Sequence, residues 1–130
     1  MSSIQVPVSA GELVDKVTIL EIKSERIADP AKLANVRREL AGLGAILRPM
    51  LTKVPALADC KASLRTINET LWKIEDDIRD CERKKDFGSR FVELARAVYR
   101  TNDKRAAAKR EVDVLLGSEI VEEKSYASYD

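Results

Sequence analysis

The sequence lacks histidine altogether and has few aromatic residues, and these absences limit the chemistry that it can perform. Without histidine, the commonest general base, the usual activator of a Ser or Cys nucleophile and the main zinc ligand are missing. Uninterrupted apolar runs never exceed three residues, which is too short for a membrane span or for the core of a signal peptide. We therefore expect a cytoplasmic protein without a metal or an organic cofactor, and we assign no catalytic residues.

The chain also lacks an excess of either charge, since 23 Lys and Arg residues face 22 Asp and Glu residues. This balance argues against a basic nucleic-acid binder and against an acidic solvating tail. A length of 130 residues fits one domain. The two cysteines, Cys60 and Cys81, fall on one predicted helix about 30 Å apart, so they cannot bond to each other, and we expect two small buried apolar groups.

Apolar residues spaced by three and four positions predict helices along most of the chain. A capping pattern at Ser9 opens the first helix, and an Asp-Pro pair at 29–30 opens the second. Gly117 is a stop signal for the last helix. Two glycines and Pro49 leave open whether the second helix continues past Leu47. The other predicted ranges are about 10–28 for the first helix and 55–85 for the third, and the fourth follows Asp86 and Gly88.

The third helix carries the clearest pattern, an unbroken heptad series of eight apolar positions: Leu57, Cys60, Leu64, Ile67, Leu71, Ile74, Ile78 and Cys81. The first helix has apolar residues on two sides, with Ile19 and Ile22 opposite the main stripe. We expect it to be sandwiched, either centrally in the bundle or against a partner subunit. The sequence thus predicts an all-α antiparallel bundle of three or four helices with coiled-coil-like seams, an extended arm at 1–8 and a tail at 118–130.

Arg105 occupies an inward position of the fourth helix, where the third helix has only apolar groups. A buried guanidinium needs an acceptor, and the candidates considered are Glu21, Glu75 and Asp76. Two interpretations remain open: a structural ion pair that fixes the helix register, and a cation that awaits an anionic ligand.

Beside the seam, the third and fourth helices each carry a stripe that mixes an aromatic side chain with amides and charges. Such amphipathic stripes form either the wall of a ligand cleft or a packing or dimer contact. With Arg105, the stripes supply six candidate ligand-binding residues: Asn68, Trp72, Glu75, Tyr99, Asn102 and Arg105.

Four segments resemble those of a family of small bacterial proteins of unknown function: GELVDKVTILEIK at 11–23, LWKIED at 71–76, VYRTNDKRA at 98–106 and VEEKSY at 121–126. The resemblance covers nearly the whole chain and implies a bacterial cytoplasmic protein. It also links the chain to proteins of envelope polysaccharide or glycosyl transfer. It implies no activity and no site residues.

The segment LRTINE at 64–69 is similar to the opening of all-helical chorismate mutases, which bind a dianionic substrate inside a helical bundle. The similarity ends at Trp72, because the leucine-rich run and inward Arg of that family are replaced by WKIEDD. Only the architecture carries over.

The leading interpretation is a self-associating interaction or accessory module, most simply a dimer, that acts through the first helix, the stripe around Trp72 and the tail. It has no nucleic-acid or membrane-spanning function. The tail either docks on the bundle or serves as an adaptor for another protein. The alternative is a protein or enzyme that binds a small anionic metabolite, such as a sugar phosphate or carboxylate, inside the bundle.

Overall fold

The computed structural model describes residues 3–129, which contain four helices and no strand. This confirms the predicted all-α bundle. Met1 and Ser2 of the predicted arm and Asp130 of the predicted tail lie outside the described residues. The helices are α1 (Ala10–Arg26), α2 (Pro30–Lys53), α3 (Ala56–Arg83) and α4 (Ser89–Leu116).

The helix starts follow the predicted capping signals. The side chain of Ser9 accepts a hydrogen bond from the backbone N–H of Glu12, and that of Asp29 accepts one from Lys32. Gly117 adopts the left-handed conformation, with φ 62°, and ends α4. Asp29 precedes a proline and caps the next helix, so its backbone is extended. Helix α1 ends before this segment, at Arg26, two residues before its predicted end.

Helix α2 is continuous to Lys53, although Pro49 lies inside it. Gly42 and Gly44 face open space, so no neighbouring backbone requires a glycine at either position. Both glycines therefore only weaken the helix. Only Leu47 is fully buried in this helix, while Leu40 and Leu43 pack partly buried against the core. Helix α2 therefore covers the bundle along one side and remains solvated along the other.

Helix α1 lies at the centre and packs against the three other helices, whereas the described Cα atoms of α2 and α4 stay more than 8 Å apart. Leu20 and Ile22 are almost completely buried, at 3% and 1% exposure, although they lie about 160° apart around α1. The prediction of a sandwiched first helix is confirmed, and the covering surfaces come from within the same chain.

The heptad series of α3 points inward as predicted, since all eight of its members are buried or half-buried. Leu57 and Leu64 join Val14 and Val112 in the main core cluster. Both cysteines are free thiols, with Cys81 buried and Cys60 half-buried. Within residues 3–129, no helix combines the length and the apolar character that crossing a membrane requires.

The arm and the tail are both non-helical, as expected. Residues 3–8 of the arm are exposed. The tail instead returns along α4, where Glu123 pairs with Arg110 and the hydroxyl of Tyr129 donates to Asp103 over 2.5 Å. Of the two interpretations of the tail, the described contacts match the docked one.

Candidate functional site

Asp15 of α1 is the buried centre of a polar network between three helices. Its carboxylate is fully buried and receives two hydrogen bonds from Arg105, from Nε to Oδ1 over 2.9 Å and from Nη2 to Oδ2 over 2.6 Å. Arg105 thus points inward as predicted, and its pKa is raised because it is hydrogen-bonded to Asp15. The fork of the guanidinium matches the two carboxylate oxygens, which is the strongest geometry for such a pair.

The predicted acceptors for Arg105 were wrong. Glu21 pairs with Lys61 over 3.0 Å instead, and Glu75 pairs with Arg79 on its own helix. Asp76 is exposed and makes no ion pair with any described residue. The reason is the position of each residue around α1: Asp15 lies on the side that faces α4, while Glu21 lies on the side that faces α3.

Two neutral side chains complete the surroundings of the Asp15 carboxylate. The amide nitrogen of Asn68 donates to Asp15 Oδ1 and to Thr18 Oγ1, each over 3.0 Å. The Thr18 hydroxyl donates to the backbone carbonyl of Asp15 over 2.7 Å. We call these four residues the Asp15 network: Asp15, Thr18, Asn68 and Arg105. Since every member has a partner, the buried charge is compensated.

A second junction holds the first turn of α1 against the end of α4. The backbone N–H of Gly11 donates to Asp113 Oδ1 over 2.6 Å, and Asp113 is only 3% exposed. A carboxylate is favoured at this place, because the first turn of a helix has unpaired N–H groups and a positive dipole end. A Cβ at Gly11 would lie 2.3 Å from the carbonyl oxygen of Lys109, so the two helices approach as closely as glycine permits.

Lys109 of α4 forms ion pairs with both α1 and the tail. Its ammonium lies 2.7 Å from Glu12 and 2.8 Å from Glu122, and its side chain is only 12% exposed. Burial opposes the charged form of Lys109, but the two hydrogen-bonded carboxylates outweigh burial and raise its pKa. The same contact lowers the pKa of Glu122.

Four of the six predicted ligand-binding residues line one cavity of about 420 Å³: Asn68, Trp72, Glu75 and Arg105. Ile19 and Arg79 also line this cavity. The guanidinium of Arg26 lies 6.0 Å from the centre of the Trp72 ring. We call this space the Trp72 cavity.

The other two predicted residues, Tyr99 and Asn102, line a different cavity of about 670 Å³ between α4 and the tail. Tyr99 also makes an edge-to-face contact with Tyr129, with ring centres 5.1 Å apart. The six residues do not form one site: Tyr99 lies about 120° around α4 from Arg105, and both Tyr99 and Asn102 face the tail.

The two arginines of the Trp72 cavity are both paired with carboxylates, and one further carboxylate lines the wall. Arg105 is held by Asp15 and Arg79 by Glu75, while Asp76 contributes another carboxylate to the wall. An incoming anion would therefore meet cations that already have partners. This arrangement favours a structural role for Arg105 over that of a free anion-binding group.

The sequence pattern of a family of unknown function, DUF6165, matches residues 4–129. The chain belongs to this family. The match covers the arm, all four helices and the tail, and it confirms the resemblance to a family without a known activity. Comparison with curated proteins finds no match, and neither does comparison with solved structures.

Sequence reasoning missed three polar residues that organise this DUF6165 chain, namely Asp15, Lys109 and Asp113. A signal for Asp15 is present in the sequence, because Asp15 precedes Ile19 and Ile22 by four and seven positions and so belongs to the second apolar side of α1. Lys109 and Asp113 offer no such signal, since their burial depends on where the tail and the start of α1 come to lie.

Proposed function

We propose that this protein is an interaction module that associates with a second copy of itself. The observation that supports the proposal is that most of the exposed large apolar side chains belong to three segments that meet at one end of the bundle. Among residues 3–129, thirteen large apolar side chains are exposed, and seven belong to this end. We call these seven the apolar end: Ile4, Val6, Val8, Val114, Leu115, Ile120 and Val121.

The members of the apolar end come from three parts of the chain that meet at one hydrogen bond. The backbone N–H of Ala10 donates to Ser118 Oγ over 3.3 Å. The arm therefore leaves α1 beside the last turn of α4 and the first residues of the tail. Single exposed apolar residues are common on protein surfaces, but a cluster from converging segments is typical of an interaction site.

The exposures within this cluster are large. Ile4 is 86% exposed, Val114 is 76% exposed and Val6 is 66% exposed. Covering such side chains contributes roughly 25 cal/mol for each Å² of apolar surface removed from water. A second copy is the simplest partner, because most soluble oligomers are symmetric assemblies of one chain and a two-fold axis needs a single self-complementary surface.

Light scattering across a concentration series tests the proposal. We expect a dimer at micromolar concentration, and we expect Val114→Asp to weaken association by about tenfold or more, since a charge would have to be buried. Val92→Asp is the matched control, because Val92 is 51% exposed on the same helix but outside the apolar end. A monomeric wild-type protein, or equal effects of the two substitutions, contradicts the proposal.

We further propose the bacterial cytoplasm as the setting, with an accessory role in envelope polysaccharide or glycosyl-transfer systems. Only the resemblance of the four sequence segments supports this setting. Fractionation of the native organism, followed by purification with the tagged chain at its normal abundance, tests it. Recovery with an outer-surface fraction contradicts it.

A second candidate function is the binding of a small metabolite in the Trp72 cavity. The supporting observation is that Trp72, Asn68 and Arg105 face one space of about 420 Å³. A panel of sugar phosphates and carboxylates, scored by melting temperature, tests this candidate, with Trp72→Leu as the variant and Tyr126→Leu as an exposed control. Binding by wild type that is lost only in Trp72→Leu supports it, and a panel without any shift excludes these ligands.

A further inference from the structure

The apolar side chains of the arm recur at every second position of a non-helical segment. Residues 3–8 are non-helical, and Ile4, Val6 and Val8 alternate with Gln5 and Pro7. Successive side chains of extended backbone point to opposite sides, so this spacing puts the three on one side when the arm is extended. They are 86%, 66% and 52% exposed. No residue from 3 to 8 carries a charged side chain. The arm therefore presents an apolar edge that the rest of the described chain, residues 9–129, leaves exposed.

A groove of matching character lies between the start of α3 and the end of α4. Its volume is about 650 Å³, and its apolar walls come from Ala56 and Cys60 of α3 and from Ala107, Val114 and Leu115 of α4. Arg110 at its rim is paired with Glu123 of the tail. Glu111 adds a carboxylate to the rim, and the apolar walls offer an apolar side chain a place to be buried.

The protomer leaves its own groove open. The arm begins beside Asp113, which faces α1, whereas Val114 and Leu115 are rotated about 100° and 200° further around α4. Six extended residues reach about 20 Å, and most of that length would be spent in passing around a helix about 10 Å wide. In the protomer, Val6 and Val114 both remain largely exposed.

We infer that two copies exchange their arms, so that the arm of each protomer lies in the α3–α4 groove of the other. This inference rests on the self-association proposed above and names the surfaces that carry it. A two-fold dimer forms the contact twice. A specific interface buries about 1,200 Å² or more in total, so each of the four surfaces needs to bury only about 300 Å². Three large apolar side chains and their backbone supply an area of that order.

The native thiol of Cys60 allows a direct test by disulfide trapping. Cysteine is introduced singly as Ile4→Cys, Val6→Cys and Val8→Cys, and the full-length proteins are oxidised mildly at micromolar concentration. We expect at least one of the three to give a covalent dimer on a non-reducing gel, because the thiol of the arm meets Cys60 of the second copy. Cys60→Ser should abolish the crosslink, whereas Cys81→Ser should leave it unchanged. Gln5→Cys is the matched control, since it points to the other side of the arm and should crosslink least.

The other outcomes overturn the inference and are distinguishable from one another. A disulfide to Cys60 within one chain shows that the arm lies in its own groove. A dimer crosslink that survives Cys60→Ser shows that two arms pair with each other. If light scattering reports a dimer and no position crosslinks, arm exchange is wrong although self-association stands. If the protein is monomeric and no position crosslinks, both proposals fail.

Discussion

The carboxylate of Asp15 and the guanidinium of Arg105 lie ninety positions apart in the chain and meet through two hydrogen bonds. Each oxygen of the carboxylate receives one N–H of the guanidinium, so the pair fixes both the distance and the rotation between α1 and α4. The Arg105 side chain is 28% exposed and that of Asp15 only 1%. Loss of the arginine would therefore strand a buried charge, whereas loss of the aspartate would leave a cation that water can partly reach.

Replacing Asp15 by Asn keeps the shape of the side chain and removes its charge. We expect the free energy of unfolding to fall by about 2–4 kcal/mol, because Arg105 then loses its counter-charge in a partly buried place. Urea unfolding followed by circular dichroism measures the change. Lys16→Gln is the control, since Lys16 forms an exposed pair with Glu39 and should cost less than about 0.5 kcal/mol. Equal costs for the two variants would show that the buried pair does not hold the bundle together.

Gly11→Ala tests the close approach of α1 to α4. The added Cβ would meet a backbone carbonyl oxygen that no side-chain rotation can remove, so we expect a loss of about 2 kcal/mol or more. Gly42→Ala is the matched control on α2, where nothing stands within 4 Å of the new Cβ, and it should stabilise the protein by about 0.5–1 kcal/mol. Thermal melting of both variants gives the comparison. A Gly11→Ala protein as stable as wild type would contradict the close contact.

Asn68→Asp places a second carboxyl group beside Asp15. Burial and the neighbouring carboxylate favour the protonated form of the new group, so its pKa should be higher in the folded chain than in the unfolded chain. A raised folded pKa means that its penalty is smallest below the ordinary Asp value of about 3.9 and grows as pH rises through the folded value. Unfolding measurements at several pH values should show this trend. Asn35→Asp on the exposed side of α2 should show almost none.

The docking of the tail should depend on pH through Glu122. Its pKa is lowered below its ordinary value near 4.5 because Lys109 donates a hydrogen bond to it. A lowered folded pKa means that its contribution is present above the unfolded value and is lost as pH falls through the folded value. Amide resonances of residues 120–129, followed during an acid titration, should therefore show the tail leaving α4 below about pH 4.5. In Glu122→Gln the tail should already be loosened at neutral pH. An unchanged tail in that variant would contradict the role of this contact.

The helices were predictable because their signals are local. Ser9, Asp29 and Gly117 mark boundaries through hydrogen bonds or backbone angles within a few residues of themselves. The inward series of α3 follows from spacing alone, and the heptad pattern predicted it without an error of register. The continuity of α2 through Pro49 was not predictable, because a single lost backbone bond competes with packing that only the folded bundle reveals.

The partner of Arg105 was not predictable in the same way. Spacing in α4 indicates that the side chain points inward, but the identity of the acceptor depends on how α1 is rotated and how far it slides along α4. That slide is set by Gly11, whose importance comes from a carbonyl oxygen nearly one hundred residues later. The division of the six candidate residues between two cavities likewise depends on the path of the tail, for which the sequence contains no periodic signal.

The ninety-residue separation within the Asp15 network has a consequence for synthesis on the ribosome. Helix α1 emerges well before α4, yet the cation that neutralises its buried carboxylate is translated ninety residues after that carboxylate. Until then α1 can contact only α2 and part of α3, and its central place in the bundle stays incomplete. The chain must therefore acquire its final arrangement late, when α4 leaves the exit tunnel and closes over a helix made long before it.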